Sequence, residues 1–558
     1  MPVLPHVSLP GGAVAKAAKR RRIPDLHRHW TTAGAALALS VALVTQAGAQ
    51  ATLPALALPD PMTPPSDTML VPVPADRIEA AIATLDDLGA EMLERTGIPG
   101  LAIAVVHEGE TVYLRGFGQR SVDGSEPVDA DTVFLLASLS KSVGSTVVAH
   151  QVGAGVVAWD TPVRDHLPWF GLDAEWVSDH VTIGDLYAHR SGLPDHAGDD
   201  LEDIGYGRRA ILERLGMLPQ APFRAHYAYT NFGLTAAAEA VAQASGTTWA
   251  DLSEEAIFAP LGMSVTSARH ADYLARENRA APHVRDGDGF AVSYQRDPDA
   301  QSPAGGVSSS ARDMGRWLAM VLGMGQAGET QLIPGPALQP AISPQTITGL
   351  PATPASRVGT YGYGFGVGVR PSGRVELSHS GAFALGAATN YVMIPDLDLG
   401  IVVLTNALPI GAAEAITASF MDRAELGMDT RDWLAGYGPR MAPLSAPFGE
   451  LVGAEPPADP TPQREAEAYA GTYANAYFGP AEVVADEDRL ELLLGPDLRA
   501  LPLTHWDGDT FVAYPVTENQ PAGSVSRVDF VIDDASGAAS VTVEHLNEMG
   551  MGTFDRAE

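Results

Sequence analysis

The chain has 558 residues, of which 46% are hydrophobic, and a formal net charge of −33 at pH 7. This length predicts more than one domain, and the hydrophobic content is enough for a large core and argues against global disorder. Cysteine is absent, which excludes disulfides, thiol catalysis and cysteine metal sites. The acidic balance disfavours nucleic acid and anionic membranes as partners.

The N-terminal segment predicts an export signal followed by a linker. Basic residues precede an apolar run at residues 32–44, and small residues near Ala49 offer a cleavage site. This pattern is typical of a secretory signal peptide at residues 1–49, and the apolar run is short for a membrane-spanning helix. We therefore expect an exported protein, periplasmic or secreted, with no membrane span after cleavage. Several prolines predict that residues 50–75 form an extended linker.

The following segments predict one α+β domain at residues 76–425. Apolar residues at helical spacing start it, and two strand-like runs at residues 101–107 and 111–116 predict a hairpin. Helix-rich sequence follows to about residue 325, after which strand-like runs return up to residue 404. We therefore predict an antiparallel sheet assembled from both ends of the domain, flanked by helices, with an all-helical lobe in the middle.

The tetrad Ser138-Leu139-Ser140-Lys141 is the first motif that can carry chemistry. It lies where a helix should begin, because an apolar run precedes it and valines at helical spacing follow it. Residues three apart share one face of a helix, so Ser138 and Lys141 should point into the same space. A lysine with a lowered pKa can activate a serine hydroxyl as a nucleophile. Taken alone, the tetrad is a weak pattern, and an ordinary helix start explains it better than catalysis does.

Tyr229-Thr230-Asn231 is the second motif, just before a helical stretch. A tyrosine hydroxyl beside a lysine can act as a general base, and the Asn231 amide can bind a substrate carbonyl or the lysine. Taken alone, the motif also fits a buried tyrosine followed by a helix-capping asparagine.

His379-Ser380-Gly381 is the third motif, and it enters a predicted hairpin. A glycine at position 381 lets a substrate backbone approach the strand edge, and the next amide, that of Ala382, could donate to an oxyanion. Taken alone, the motif also fits a polar turn that enters a strand.

In this order the three motifs resemble the serine β-lactamase and penicillin-binding-protein superfamily. The likeness is strongest to its class C-like branch, which includes esterases, D-aminopeptidases and CubicO-type S12 serine peptidases. Segments of the family pattern also occur at residues 181–194, 258–263, 304–313 and 402–406. The resemblance covers roughly residues 80–425. It implies the β-lactamase/transpeptidase-like fold, with the active site in a cleft between the sheet and the helical lobe.

The resemblance also implies a role for each motif residue. Ser138 becomes the nucleophile and Lys141 its activating base. Tyr229 becomes the general acid/base, and Asn231 a ligand of the substrate or of the lysine. The backbone amides of Ser138 and Ala382 become the oxyanion hole. Ser380, Gly381 and Ala382 become substrate-binding residues.

His379 departs from the family pattern, which usually has lysine at the first place of the third motif. A lysine there is a permanent cation that holds a substrate carboxylate, whereas a histidine is mostly neutral at pH 7. This difference favours an esterase or peptidase over efficient β-lactam hydrolysis. We expect the neutral imidazole of His379 to donate a hydrogen bond to Tyr229 or to the tetrahedral intermediate.

Two other patterns are predicted to hold no cofactor or metal. Residues 360–368 alternate glycine with aromatic or apolar residues but lack the following helix of a nucleotide loop, so we interpret them as a strand lining the cleft. His196 lies near Asp199 and Asp200 in a polar loop, and the sequence offers no second cluster of ligands.

The C-terminal segment predicts a second, smaller domain. Prolines mark residues 426–464 as another linker, and strand-like runs between turns then predict an all-β domain at residues 465–558. It resembles the lipocalin-like β-barrel found behind some CubicO-type peptidases and esterases. Such a domain could serve as a stability or oligomer cap, or could screen which substrates reach the cleft.

The sequence therefore predicts an exported serine hydrolase that cleaves amide or ester bonds, with short peptides favoured, through an acyl-enzyme on Ser138. A carboxylesterase and a weak β-lactamase of the same fold are alternatives. The alternative from another class is a non-catalytic sensor that binds peptide or peptidoglycan, although binding alone does not need an activated hydroxyl. The expected partner is a small peptide, amide or ester substrate, and an oligomer is left open.

Overall fold

The computed structural model describes Leu56 and residues 60–293, 296–486, 489–533 and 537–557. The predicted signal peptide at residues 1–49 lies outside the described residues, and so does the start of the predicted linker at residues 50–75. Within the described part of the chain, no helix is both long and apolar enough to cross a membrane.

The strands between residues 100 and 405 form one large sheet and several short two-stranded ribbons. In chain order they are β1 (Gly100–His107), β2 (Glu110–Gly118), β3 (Phe134–Leu135), β4 (His283–Asp286), β5 (Gly289–Val292), β6 (Ser308–Ser309), β7 (Gln326–Ala327), β8 (Thr330–Gln331), β9 (Thr346–Gly349), β10 (Gly359–Tyr361), β11 (Gly366–Val369), β12 (Val375–Phe383), β13 (Ala387–Ile394) and β14 (Leu399–Thr405).

The large sheet joins the two early strands to six later ones. Within the described residues it has eight strands in the order β2-β1-β14-β13-β12-β11-β10-β9, and every neighbouring pair is antiparallel. The junction is the pairing of β1 with β14, in which Leu101 lies opposite Thr405. This arrangement confirms the predicted sheet assembled from both ends of an α+β domain.

Helices connect and cover these strands. In chain order they are α1 (Arg77–Ile82), α2 (Leu85–Thr96), α3 (Leu139–Gly153), α4 (Glu175–His180), α5 (Ile183–Tyr187), α6 (Asp199–Asp203), α7 (Arg208–Arg214), α8 (Asn231–Ser245), α9 (Trp249–Ser253), α10 (Ala259–Leu261), α11 (His270–Ala275), α12 (Ser302–Gly305), α13 (Ala311–Leu322), α14 (Gly335–Leu338), α15 (Ala412–Leu426) and α16 (Trp433–Met441).

Both faces of the sheet are covered by helices. Side chains alternate along a strand, so Ile103 and Val105 of β1 pack with α1, α2 and α15, whereas Ala104 and Val106 join the core that contains α3 and α13. Because both faces are covered, β1, β13 and β14 are almost wholly buried, and the sequences of β1 and β14 are mainly apolar.

Helix α3 is the buried centre of the domain and places the first motif. Its residues from Leu139 to Ala149 are all buried, which fits a helix that carries apolar or small residues on every side. It contacts α8 and α12 of the helical side, and it also contacts strands β12 and β13. The N-terminus of α3 therefore lies between the sheet and the helical lobe.

The C-terminal part of the chain forms a closed barrel, which confirms the predicted small all-β domain. Eight strands close it within the described residues: β15 (Gly471–Asn475), β16 (Gly479–Asp486), β17 (Arg489–Leu494), β18 (Arg499–Asp507), β19 (Thr510–Ala513), β20 (Ser526–Asp533), β21 (Gly537–Val543) and β22 (Thr553–Arg556). Strand β15 pairs with both β16 and β22, so the sheet has no free edge.

The barrel packs on the helical lobe of the first domain. The Tyr206 hydroxyl of the helical lobe donates a hydrogen bond to the Phe478 carbonyl of the barrel at 2.9 Å, and Arg499 of the barrel donates to the Asp203 carbonyl at 2.8 Å. The segment 426–464, predicted to be a linker, contains helix α16, because Trp433 and Leu434 find an apolar surface on the core around α15. That surface could not be seen from local composition.

Candidate active site

Ser138 lies at the N-terminus of α3, directly after a sharp turn of the backbone. Ala137 adopts a left-handed conformation with φ of 47°, which is uncommon for a residue with a Cβ atom. The turn is held from the opposite segment, since the Leu136 amide donates to the Val307 carbonyl and the Val307 amide donates to Oγ of Ser140. These contacts fix the entry of α3 and leave the Ser138 side chain partly exposed.

Lys141 lies one turn further along α3 and is fully buried, with 0% of its surface exposed. Its Nζ atom donates to Oγ of Ser138 at 3.2 Å, to Oδ1 of Asn231 at 2.7 Å and to the Ala304 carbonyl at 3.0 Å. Burial lowers the pKa of Lys141 to about 7, with the charge of Asp199 raising it and that of Arg296 lowering it further. A substantial fraction of this lysine is therefore neutral near pH 7 and can accept a proton.

Tyr229 of the second motif joins the same group. Its ring lies 4.5 Å from Nζ of Lys141, measured to the ring centre. Burial raises the pKa of the Tyr229 hydroxyl well above its ordinary value, although hydrogen bonding to Ser138 opposes that effect. The hydroxyl therefore stays protonated at neutral pH, so in the resting site Tyr229 can donate a proton, and it is not already ionised as a general base.

His189 holds the backbone on either side of Tyr229. Its carbonyl accepts a hydrogen bond from the Ala228 amide at 2.9 Å, and its Nδ1 atom accepts one from the Thr230 amide at 3.2 Å. Burial and the charge of Lys141 lower the pKa of His189 well below its usual value, so the ring is neutral and Nδ1 can accept. His189 belongs to residues 181–194, one of the segments that resemble the family pattern. This segment therefore supports the backbone around Tyr229.

Asn231 connects Lys141 to a carboxylate that the sequence did not place in the site. Its Oδ1 atom faces Lys141, and its Nδ2 atom donates to Oδ2 of Asp199 at 2.8 Å. The same carboxylate oxygen lies 2.8 Å from Nδ1 of His196. Burial lowers the pKa of His196, but the Asp199 carboxylate raises it by more. His196 and Asp199 were considered only as metal ligands, although a charged pair three residues apart was a signal for a supporting role.

His379 lies on β12, as predicted, and both of its ring nitrogens are already bonded. Nε2 is 2.8 Å from the Tyr361 hydroxyl and Nδ1 is 2.7 Å from the Ser380 carbonyl. Because a carbonyl can only accept, Nδ1 carries the proton and Nε2 accepts from Tyr361. Burial lowers the pKa of His379 to about 3, with the charge of Lys141 adding to the effect, so the ring is neutral.

These bonds correct the expected hydrogen bond from His379 to Tyr229 or to an intermediate. The ring centres of His379 and Tyr229 are 6.5 Å apart, and Tyr361 packs against both His379 and Tyr227. The expectation failed because Tyr361 comes from β10, which is separated from β12 by β11, and its contact with His379 depends on how the sheet is assembled.

Gly381 brings β12 against the loop that carries Ser138. A Cβ atom at position 381 would lie 3.1 Å from the Ser138 amide nitrogen and would collide with the Leu136 carbonyl oxygen. A glycine is therefore required for this close approach. The ladder between β11 and β12 ends at Ser378, so Ser380, Gly381 and Ala382 lie beyond that pairing. The roles of the Ser138 and Ala382 amides as an oxyanion hole remain a prediction.

A polar cavity of about 650 Å³ lies elsewhere, where residues of the helical lobe meet Arg499 of the barrel. Arg209 stacks over the ring of Trp169 in its wall, 3.4 Å from the ring centre. Ser138 and Lys141 are not among its lining residues. The candidate catalytic group is therefore a different site from this cavity.

A family model described as Beta-lactamase matches residues 83–424, which is more than half of the chain and includes all three motifs. The chain belongs to the β-lactamase family. It is accordingly a β-lactamase-like serine hydrolase, which confirms the enzyme class that the motifs predicted. A second model, described as a domain of unknown function (DUF3471), matches residues 455–553 and so spans most of the barrel.

Individual relatives are distant, and they cover the chain to different extents. The unguisins hydrolase ungD of Aspergillus violaceofuscus is 27% identical over 439 residues, which are 71% of this chain and 75% of that protein. The D-alanyl-D-alanine-carboxypeptidase/endopeptidase AmpH of Escherichia coli K12 is 25% identical over 259 residues, which are 45% of this chain and 64% of that protein.

Among solved structures, the octameric penicillin-binding protein homologue from Pyrococcus abyssi superposes with a TM-score of 0.54 at 20% identity. The superposition covers 83% of this chain and 98% of that chain. At this identity the likeness concerns the fold, and it extends beyond the matched β-lactamase segment.

Proposed function

We propose that this protein is an exported serine hydrolase that cleaves amide bonds in short peptides through an acyl-enzyme on Ser138, and that it also cleaves esters. The observation that carries the proposal is the hydrogen bond from the buried Lys141 to Oγ of Ser138, together with a lysine pKa of about 7. A base that is partly neutral at the working pH, in contact with a hydroxyl at a helix N-terminus, is the arrangement that nucleophilic catalysis needs.

The acylation step follows from the contacts around Ser138. Lys141 takes the hydroxyl proton as Oγ attacks the substrate carbonyl carbon, and the amides of Ser138 and Ala382 stabilise the oxyanion. Tyr229 donates its proton to the leaving nitrogen while it accepts the proton held by Lys141. The amine leaves and the acyl group stays on Ser138. Water then attacks the acyl carbon, and its proton returns along the same groups, which frees the acid and restores Ser138.

The preference for peptides and esters rests on His379 and on the relatives. The neutral imidazole offers no permanent cation for a substrate carboxylate, in contrast to the lysine that classical β-lactamases carry at this place. The name of the Escherichia coli relative is that of a carboxypeptidase and endopeptidase, and the Aspergillus relative is a hydrolase. Both names support hydrolysis, and the first supports peptides as substrates.

A substrate panel tests the proposal. Purified protein and its Ser138→Ala variant should be assayed with p-nitrophenyl esters, aminoacyl anilides and nitrocefin. We expect turnover of esters and anilides that depends on Ser138 and exceeds nitrocefin turnover. Faster turnover of nitrocefin would favour a β-lactamase. Absence of turnover and of any Ser138 adduct would favour a binding sensor instead.

The proposal of export concerns the N-terminal segment and is tested separately. We propose that residues 1–49 are removed on export and that residues 50–75 and 426–464 connect a hydrolase domain to its neighbours. Expression of the full chain in a Gram-negative host, followed by fractionation and intact-mass measurement, should give a periplasmic or secreted product that begins near residue 50. A cytoplasmic product of full length would contradict export.

A further inference from the structure

A loop of the barrel reaches the turn that follows the third motif. The carboxylate of Glu518, between β19 and β20, accepts hydrogen bonds from the amides of Ala384 at 2.7 Å and Leu385 at 3.3 Å. These two residues form the turn after Phe383, the last residue of β12. The strand that carries Gly381 and Ala382 is therefore held at its end by a residue of the other domain.

Glu518 is partly buried in this contact, with 13% of its side chain exposed, and it faces a cation. Nη1 of Arg296 lies 3.9 Å from its carboxylate, and Arg296 also pairs with Glu202 of the helical lobe. The Arg296 guanidinium lies 5.0 Å from the centre of the Phe383 ring. Barrel, helical lobe and β12 thus meet at one buried cluster, and the charge of Arg296 contributes to the lowered pKa of Lys141.

The barrel loop has a second, independent attachment on either side of Glu518. Oδ2 of Asp203 in α6 accepts hydrogen bonds from Oγ1 of Thr517 and from Nδ2 of Asn519, both at 2.8 Å. The loop is consequently anchored to the helical lobe by residues that do not touch the turn after β12. This arrangement separates the docking of the loop from the contact that Glu518 makes.

We propose that Glu518 is a positioning residue for the hydrolase reaction, and that the barrel is part of the catalytic unit. A carboxylate that accepts two amide hydrogen bonds where little solvent reaches it is a strong restraint on backbone position. Burial raises the pKa of Glu518 to about 7, while the charge of Arg296 lowers it, so the ionised form, which is the stronger acceptor, gains population as the pH rises through neutrality. The Glu518 carboxylate holds the turn at Ala384 and Leu385. That turn follows the strand whose Gly381 lies against the Ser138 loop, so we expect it to set the position of the neighbouring Ala382 amide. The inference rests on the proposed role of Ala382 in the oxyanion hole, where a displacement of about 1 Å costs up to roughly 10²-fold in rate.

Three variants of the full chain test the proposal: Glu518→Ala, Glu518→Gln and, as a matched control in the same loop, Thr517→Val. Pre-steady-state acylation by a p-nitrophenyl ester separates the acylation rate constant from substrate binding. We expect Glu518→Ala to lower the rate constant by about tenfold or more, with binding changed by less than about threefold. Glu518→Gln should recover part of the rate, because its amide oxygen can still accept, and Thr517→Val should stay within about twofold.

An unchanged acylation rate in Glu518→Ala, or an equal loss in Thr517→Val, would overturn the proposal, because the effect would then be absent or belong to loop docking. Amide hydrogen exchange of the peptides covering residues 376–394 gives a second measurement that needs no catalysis. Glu518→Ala should accelerate exchange there, and unchanged exchange would also count against the proposal. If the unaltered protein forms no Ser138 adduct, the proposed function fails, while the exchange experiment still decides whether Glu518 positions the turn.

Discussion

The Nζ atom of Lys141 lies 3.2 Å from the Oγ atom of Ser138, and no part of the lysine side chain is exposed. The same burial that makes the ammonium form unfavourable lowers its pKa to about 7 and makes the lysine a base near neutral pH. Asn231 and the Ala304 carbonyl hold the amine in place from the other side. The packing around Lys141 thus determines three properties of its amine: its contact with Ser138, its orientation and its pKa.

The first prediction concerns the nucleophile. A fluorophosphonate probe should phosphonylate Oγ of Ser138 with loss of fluoride, and Ser138→Ala should abolish the adduct and lower turnover by about 10³-fold or more. Peptide mapping by mass spectrometry locates the adduct. Ser140 serves as an internal control, because its hydroxyl accepts from the Val307 amide and should stay unmodified. An adduct on Ser140 or Ser380 would show that the nucleophile is assigned wrongly.

The second prediction concerns pH. Lys141 accepts the Ser138 proton only when neutral, so kcat/KM should rise with pH through the lysine pKa of about 7 and level off above it. Initial rates between about pH 5 and about pH 10 measure this rise in kcat/KM. We expect a curve for the ionisation of a single group to fit it. A flat profile over that range would exclude Lys141 as the titrating base.

The third prediction concerns Tyr229. Tyr229→Phe keeps the ring beside Lys141 but removes the hydroxyl, so kcat should fall by about 10²-fold while the protein stays folded. Circular dichroism checks the fold. Since burial raises the tyrosine pKa, the unaltered enzyme should show no loss of activity from Tyr229 ionisation on the alkaline side up to about pH 10. Full activity of the phenylalanine variant would remove Tyr229 from the proton path.

The fourth prediction concerns Asp199, which lies behind Asn231. Its negative charge raises the Lys141 pKa, so Asp199→Asn should move the acid limb of the pH profile to lower pH. Turnover should also fall by about tenfold, because Asn231 loses a charged partner. Asp200→Asn is the matched control: burial raises the Asp200 pKa well above its usual range, so this change removes little charge. Equal shifts in both variants would contradict a specific role for Asp199.

The fifth prediction concerns His379. A lysine there cannot accept the hydrogen bond from Tyr361 and brings a second amine close to Lys141, so His379→Lys should lower ester and peptide turnover by about tenfold or more. Tyr361→Phe removes the same hydrogen bond without adding a charge and separates the two causes. We expect no substantial nitrocefin turnover from the lysine variant. A large gain there, with ester activity intact, would mean that the position chiefly supplies a cation.

The motif residues could be placed from the sequence for two different reasons. Ser138 and Lys141 share a helix face, which local geometry predicts. That Tyr229 and Asn231 join them was implied by the family resemblance, and the structure packs the helix that begins at Asn231 on α3. Gly381 was predicted to let a substrate approach, whereas the structure shows that the Leu136 carbonyl and the Ser138 amide of the chain itself approach it. The approach of a substrate at Gly381 stays a prediction. Helix periodicity and short motifs are patterns that can be recognised in one amino-acid sequence.

The supporting residues could not be placed in the same way. Asp199, Tyr361 and Glu518 come from a lobe helix, another strand and the barrel, and their contacts join residues that are far apart in the chain. Nothing in the local sequence of Glu518 indicates that it accepts the amides of Ala384 and Leu385. Such contacts depend on how the helices, strands and domains pack together. Periodicity and motif spacing in the sequence do not predict that packing.

The sequence by itself determined the enzyme class, the α+β architecture with a C-terminal all-β domain, and the four residues Ser138, Lys141, Tyr229 and His379 as candidates. Only the tertiary structure decided their protonation and their partners. The pKa values of Lys141 and His379 depend on burial, and burial is a property of the whole packed assembly rather than of any segment. For the same physical reason, the link between the barrel and the catalytic strand became visible only once the domains were in contact.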